Sequence, residues 1–218
     1  MKLNRSYSNL FNSSNNSNSS NLSDNSNYSD NSDKSNNSNK ILKTMKIEDL
    51  KGFIRDVPDF PSKGIMFRDL TTLIKNGEAL RLMSREIAEL YRNKGVTKVV
   101  GIESRGFIGG SILAYELGCG FVPARKPGKL PSVTIKKAYA KEYGVDTIEL
   151  HSDAITEDDV VVLHDDLLAT GGTMNACYEL VKSMNPKKIY INFIVELTDL
   201  DGRAHLPADC EVTSLLKY

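Results

Sequence analysis

Apolar side chains are spread unevenly along the 218-residue chain, and their spacing changes character from segment to segment. Residues 1–40 hold scarcely any; Asn and Ser make up most of that stretch. Such a segment cannot bury enough apolar surface to offset the entropy of ordering its backbone, so a disordered tail is expected. Residues 41–218 are rich in Val, Ile and Leu and are expected to form one domain around one substantial core. Ile47, Leu50, Phe53 and Ile54 recur at helical spacing, and Pro58 and Pro61 then force extended chain. Glu78–Lys94 carries Leu80, Leu82, Met83, Ile87, Leu90 and Tyr91 on one helical stripe, with Gly95 as its stop. A short apolar run, Val99–Ile102, reads as a buried strand, and Phe107–Leu117 returns to a helical pattern bounded by Gly118 and Gly120.

Val133–Leu150 alternates polar and apolar residues around Gly144 and suits a hairpin or mobile flap better than a core strand. Val160–Leu163 is uninterrupted and apolar, the mark of a strand covered on both faces. Met174–Met184 predicts a helix ended near Asn185-Pro186, and Ile189–Val195 another strand. Strands alternating with helices predict an α/β fold, an open and mainly parallel twisted sheet flanked by helices. Sheets of this kind bind ligands beyond the carboxyl ends of their strands, which directs attention to Glu103–Gly106 and Asp165–Thr173.

Charge narrows the partners. The 28 basic and 28 acidic side chains cancel, which argues against broad binding to nucleic acid or an anionic membrane, so any anion site must be local. No apolar run reaches the roughly 18–20 residues of a membrane span. The first residues lack the apolar stretch of a secretory signal. Cys119, Cys177 and Cys210 have neither disulfide-framework nor zinc-site spacing. The cytosol is the expected compartment.

The most informative stretch runs from Val160 through His164-Asp165-Asp166 to Ala169-Thr170-Gly171-Gly172-Thr173. Glycines permit close backbone approach, and successive N–H groups at a helix start, helped by the Thr170 and Thr173 hydroxyls, suit a phosphate dianion. Asp165 and Asp166 cannot face that phosphate; they suit hydroxyl donors or a metal-bound substrate. Ribose 5-phosphate offers a phosphate at one end and a diol nearby. Taken alone, the Thr-Gly-Gly-Thr stretch reads equally well as a helix cap, and neither G-x-x-x-x-G-K-[ST] nor a strand-to-helix G-x-G-x-x-G accompanies it.

Val161–Thr173 resembles the PRPP-binding loop of type I phosphoribosyltransferases (PRPP is 5-phosphoribosyl-1-pyrophosphate), and five further segments resemble the adenine-specific members of that family. The resemblance runs from about Asp59 to Tyr218 and implies the family's fold, with a hood over about residues 41–70 and a mobile flap over about 131–150. It implies that Asp165 and Asp166 contact the ribose hydroxyls and that Ala169, Thr170, Gly171, Gly172 and Thr173 bind the 5-phosphate. Asp59-Phe60-Pro61 with Gly64–Asp69 is similar to the hood that frames the purine: Phe67 would stack on adenine, and Met66 and Arg68 would supply main-chain contacts. Glu103–Phe107 is similar to the pyrophosphate loop, which assigns that anion to Ser104 and Arg105. Arg125–Pro131 matches an R-K-x-G-K-L-P segment, making Lys129 a pyrophosphate ligand and Arg125 a ligand of this site or of a dimer mate's. Glu142-Tyr143-Gly144 matches the flap's E-Y-G, whose glutamate handles a proton on the purine. Leu197, after Val195-Glu196, would close the adenine pocket.

Each of these residues also has a plainer reading: Met66 and Phe67 as core, Arg105 as a solvated surface charge, Arg125–Pro131 as a basic turn, Glu142 as surface decoration. His164 departs from the family pattern, which carries an aliphatic or acidic residue there; strand alternation puts it on a face with Val160 and Val162, which favours a packed histidine with a hydrogen-bond partner over a catalytic base. The resemblance implies transfer of the phosphoribosyl group from PRPP to adenine N9, giving AMP and pyrophosphate, with Mg²⁺ held mainly by PRPP and a homodimeric assembly. A 6-oxopurine phosphoribosyltransferase would share the PRPP loop, and a regulator could bind PRPP without catalysis.

Overall fold

The computed structural model describes residues 45–140 and 145–218. The expected tail and the Glu142-Tyr143-Gly144 segment lie outside the described residues. A five-stranded sheet occupies the centre, in the order β4 (Gly120–Ala124), β3 (Lys98–Ile102), β7 (Val160–Leu168), β8 (Lys188–Glu196), β9 (Glu211–Lys217). Every neighbouring pair is parallel. Pro123, which cannot donate to a ladder, sits in the edge strand β4.

Alternation along the strands divides the core between the two faces. Val100, Val161, Leu163, Ile191 and Phe193 pack with α4 (Gly172–Lys182) and the inner face of a hairpin. Val99 and Val162 pack on the other side with α2 (Gly77–Glu89), α3 (Gly106–Leu117) and a 3₁₀ turn over Ile47–Phe53. Because side chains alternate with period two, a slip of one residue in β7 would exchange these faces, so burial on both sides specifies the register. The short helix α1 (Thr71–Ile74) joins β2 to α2.

Two small antiparallel hairpins flank the sheet. β1 (Arg55–Pro58) pairs with β2 (Met66–Asp69), the segment expected as a hood. β5 (Thr134–Ala140) pairs with β6 (Val145–His151), the segment expected as a hairpin or flap. Buried Ile148 and Leu150 join the hairpin to the core, and an Arg125–Glu149 bridge ties it to the end of β4.

Three element boundaries differ from the sequence expectation. β7 continues beyond Leu163 to Leu168, because its pairing with β8 extends to Leu168 opposite Glu196; the acid pair therefore lies on a strand. α2 ends at Glu89 instead of Lys94, since Leu90 and Tyr91 donate to carbonyls three residues back. That tightening accompanies burial of Tyr91, whose hydroxyl lies 2.6 Å from Thr213 Oγ1. β9 has no counterpart in the sequence reading, because Glu211–Lys217 carries too little alternation to be separated from a loop.

Candidate active site

The carboxyl end of β7 brings Asp165 and Asp166 to the edge of the sheet. Asp165 Oδ1 accepts the N–H of Asp166 at 2.9 Å, and Asp166, itself buried, has Oδ2 2.7 Å from Arg105 Nε. Burial and the neighbouring Asp166 charge push the Asp165 carboxyl well above the usual carboxylate range. Burial also raises Asp166, opposed by the Arg105 guanidinium. Arg105 precedes α3, and Gly106 explains its closeness: a Cβ there would lie 2.9 Å from both Asp165 Oδ1 and His164 O. The Glu103–Gly106 loop is thus pressed directly onto the acid pair.

Ala169–Thr173 leads from β7 into α4. Gly171 has φ 82°, a left-handed conformation that disfavours a side chain, and its carbonyl accepts Asn175 N–H at 2.9 Å to begin the helix. Asp165, Leu168, Phe193 and the loop itself line a small pocket over the N-terminus of this 11-residue helix. Free N–H groups and the helix dipole make that end attractive to an anion, while the polar lining admits a phosphate.

On the hood, Met66 and Phe67 are not core residues: Met66 is 45% exposed and Phe67 half-buried. The Phe67 ring meets Phe60 edge-on at 5.0 Å, and the Arg105 guanidinium carbon lies 5.5 Å from its centroid. Arg105 therefore contacts both the expected base-stacking ring and the acid pair, and is only partly exposed. Arg68 forms an ion pair with Asp56 and stacks over Tyr218 at 4.3 Å. Half-buried Leu197 follows β8 and donates its N–H to Leu168 O at 2.9 Å.

The basic segment after β4 is a built turn. Arg125 Nε and Nη2 reach the two Glu103 carboxylate oxygens at 3.1 Å each, and Nη1 reaches Lys129 O at 3.2 Å. Glu103 also accepts Lys126 N–H at 3.0 Å, and its carboxyl is held below the usual range, mainly by Arg125. Arg125 is thus engaged by Glu103, whereas the Lys129 and Ser104 side chains are exposed.

Tyr139 on β5 was not singled out from the sequence. Its hydroxyl accepts from Thr173 Oγ1 at 3.3 Å and donates to Asp146 Oδ2 at 3.3 Å, and Asp146 in turn pairs with Lys126. The hairpin is thereby linked to the phosphate loop and the basic turn, around a cleft lined by Glu103, Arg125, Lys126, Tyr139 and Thr173. The only sequence signal was position: an aromatic hydroxyl inside the alternating flap segment. Glu142 lies outside the described residues.

His164 is fully buried, with Nδ1 2.8 Å from Asn192 Oδ1, as strand alternation predicted. Asn192 Nδ2 donates to Thr213 Oγ1 at 2.9 Å, so its Oδ1 is left to accept the proton from His164 Nδ1. Nε2 faces Gly109 of α3, and burial lowers the imidazole to about 4. The ring is a neutral packing element at neutral pH.

Comparison with known proteins agrees with this geometry. Residues 70–209 match the phosphoribosyl transferase domain. The adenine phosphoribosyltransferase of Bacteroides thetaiotaomicron is 58% identical over 172 residues, covering 79% of this chain and 98% of the relative. The crystal structure of adenine phosphoribosyltransferase from Rhodothermus marinus superposes with a TM-score of 0.75 at 49% identity, covering 79% of this chain and 98% of that one. The APRTase of Giardia lamblia complexed with 9-deazaadenine superposes with a TM-score of 0.76 at 42% identity, covering 80% and 99%. With this fold, this crevice and these relatives, the chain belongs to the adenine phosphoribosyltransferase family of type I phosphoribosyltransferases.

Proposed function

We propose that the protein transfers the 5-phosphoribosyl group of PRPP to adenine N9, giving AMP and pyrophosphate. The observation that carries this reading is the grouping at the carboxyl edge of the sheet, where Arg105 stands 2.7 Å from Asp166 and its guanidinium carbon 5.5 Å from the centroid of the Phe67 ring. This grouping offers carboxylates for ribose hydroxyls, a helix N-terminus for the 5-phosphate, a guanidinium for the leaving group and an aromatic ring for the base. The Giardia relative, crystallised with 9-deazaadenine, supports adenine as the acceptor.

In this reading Asp165 and Asp166 accept from the ribose hydroxyls, and Ala169, Thr170, Gly171, Gly172 and Thr173 bind the 5-phosphate. Ser104, Arg105 and Lys129 take the pyrophosphate, with Arg125 shaping the turn that carries Lys129. Phe67 stacks on adenine, Met66 and Arg68 meet its edge through main-chain groups, and Leu197 closes the pocket. Attack by N9 at C1 of the ribose develops positive charge on the sugar, so water must be kept out; the 131–150 flap bearing Glu142 is assigned that role.

Mg²⁺ would come as a partner of the substrate, held mainly by PRPP. Among the described residues no group of three or more His, Cys, Asp or Glu side chains forms a cage. The raised carboxyls of Asp165 and Asp166 mark a place where a cation carried on PRPP is favourable. When bound, the metal would neutralise charge on the pyrophosphate. A domain over 41–218, a homodimer and a cytosolic location complete the proposal.

Radiolabelled adenine incubated with PRPP and Mg²⁺ should yield AMP, and unlabelled adenine should compete far better than hypoxanthine or guanine. Preference for a 6-oxopurine would reject the base assignment; PRPP binding without AMP formation would reject catalysis. Glu142→Leu should lower turnover more than PRPP affinity, and unchanged turnover would remove Glu142 from the mechanism.

A further inference from the structure

Behind the phosphate loop, two glycines from distant parts of the chain press their backbones together. A Cβ on Gly202 would lie 1.9 Å from Ala169 O, and one on Gly171 would lie 2.4 Å from Gly202 O. Both clashes are with backbone, so no side-chain movement relieves them. The turn that follows β8 is therefore the rear wall of the loop. Its first residue is pinned to β7 by the bond from Leu197 N–H to Leu168 O, and Leu206 at its far end is buried in the core.

One guanidinium holds this turn in place. Arg203 Nε donates to Glu196 Oε1 at 2.8 Å and Nη2 to Glu196 Oε2 at 2.6 Å, a two-pronged pair with the last residue of β8. Nη1 reaches Val212 O at 2.8 Å and Nη2 also reaches Ser214 Oγ at 3.1 Å, both on β9. Glu196 is buried, and the Arg203 guanidinium holds its carboxyl down to about 2. The turn is thus clamped to the two strands beyond β7 by four hydrogen bonds from a residue that lines neither of the two pockets described above.

We propose that Glu196 and Arg203 are positioning residues for the 5-phosphate of PRPP: they hold the Leu197–Leu206 turn as a rigid backstop that keeps Ala169 and Gly171 in the anion-binding conformation. Converging N–H groups bind an anion well only if the loop does not have to reorganise on binding. A loop backed by a loose turn relaxes around Gly171 and loses that convergence. The groups proposed for the pyrophosphate lie on other loops and keep their geometry. This inference rests on reading Ala169–Thr173 as the 5-phosphate site.

The test compares Arg203→Lys, Ser214→Ala and a control, Thr170→Ala, in the full-length protein. Arg203→Lys keeps the charge but loses the two-pronged pair; it should raise KM for PRPP by about tenfold with kcat nearly unchanged. Calorimetry should show ribose 5-phosphate binding weakened in the same proportion, and inorganic pyrophosphate binding unaltered. Ser214→Ala should move the same two quantities by a smaller factor, and it serves as the deciding variant if Arg203→Lys does not fold. A lowered melting temperature with unchanged KM for PRPP and unchanged ribose 5-phosphate binding would overturn the proposal, as would equal weakening of ribose 5-phosphate and pyrophosphate. If Thr170→Ala leaves ribose 5-phosphate binding intact, the phosphate-site reading itself fails. If only Thr170→Ala weakens it, the site stands and the backstop is overturned.

Discussion

Arg105 Nε lies 2.7 Å from Asp166 Oδ2, so the arginine proposed for the leaving pyrophosphate partners a carboxylate proposed for the ribose. Burial raises Asp166 and Arg105 holds it down. Arg105→Gln should therefore move the acid limb of the kcat/KM profile for PRPP to higher pH, since the carboxyl loses the charge that favours its ionised form. It should also lower kcat/KM by about a hundredfold, the scale for removing one preorganised charge stabiliser. Arg105→Lys should retain the position of the acid limb. An unmoved limb in Arg105→Gln would separate Asp166 ionisation from catalysis.

Tyr139 joins the β5–β6 hairpin to Thr173 by a neutral hydrogen bond of 3.3 Å. Tyr139→Phe keeps the ring and removes that link. A net worth of about 0.5–1.5 kcal/mol for such a bond predicts roughly a three- to tenfold rise in KM for PRPP, with melting temperature little changed. Initial-rate kinetics at saturating adenine would check it; an unaltered KM would make the link incidental.

Phe67 sits in a hood strand with Phe60 against its edge and Arg105 nearby. If it stacks on adenine, Phe67→Ala should raise KM for adenine by about tenfold or more, from the roughly 1–3 kcal/mol typical of base–aromatic stacking. Phe67→Tyr should restore it. A change confined to PRPP would point instead to the Arg105 contact.

His164 gives stability a pH dependence of definite sign. The folded state keeps it neutral down to about 4, whereas an unfolded histidine protonates near the ordinary 6.5. The associated stability is fully present above that upper value and is lost as pH falls toward the lower one, by about 3 kcal/mol across the window. Urea unfolding at pH 7, 5.5 and 4.5 should show this loss, and His164→Asn should reduce it. Gly109→Ala would place a Cβ 2.4 Å from His164 Nε2 and should destabilise by about 1–3 kcal/mol. The cost should shrink in combination with His164→Ala, as a double-mutant cycle would reveal.

Much of this was legible in local spacing. The apolar run at Val160–Leu163 predicted a strand covered on both faces, those at Val99–Ile102 and Ile189–Val195 predicted strands, and each is a strand of the parallel sheet. The small residues after the acid pair predicted a loop opening a helix, which α4 begins at Gly172. Burial of His164 followed from alternation, though its partner Asn192 did not.

Contacts between remote residues were not legible. Period and composition report what one segment does to its own neighbours; they carry no information on which segment a side chain meets across the fold. Hence the resemblance made Arg125 a ligand of this site or of a dimer mate's, while its pairing with Glu103 shows only in the fold. Arg203 and Gly202 carried no signal at all, since a guanidinium and a glycine in a turn are ordinary until β9 and Ala169 are beside them. The amino-acid sequence determined the two-faced sheet and the composition of the phosphate loop, because both depend on neighbours along the chain. Only the tertiary structure decided what stands against that loop and which charges are already paired, because those depend on long-range strand pairing and the close approach of separate backbones.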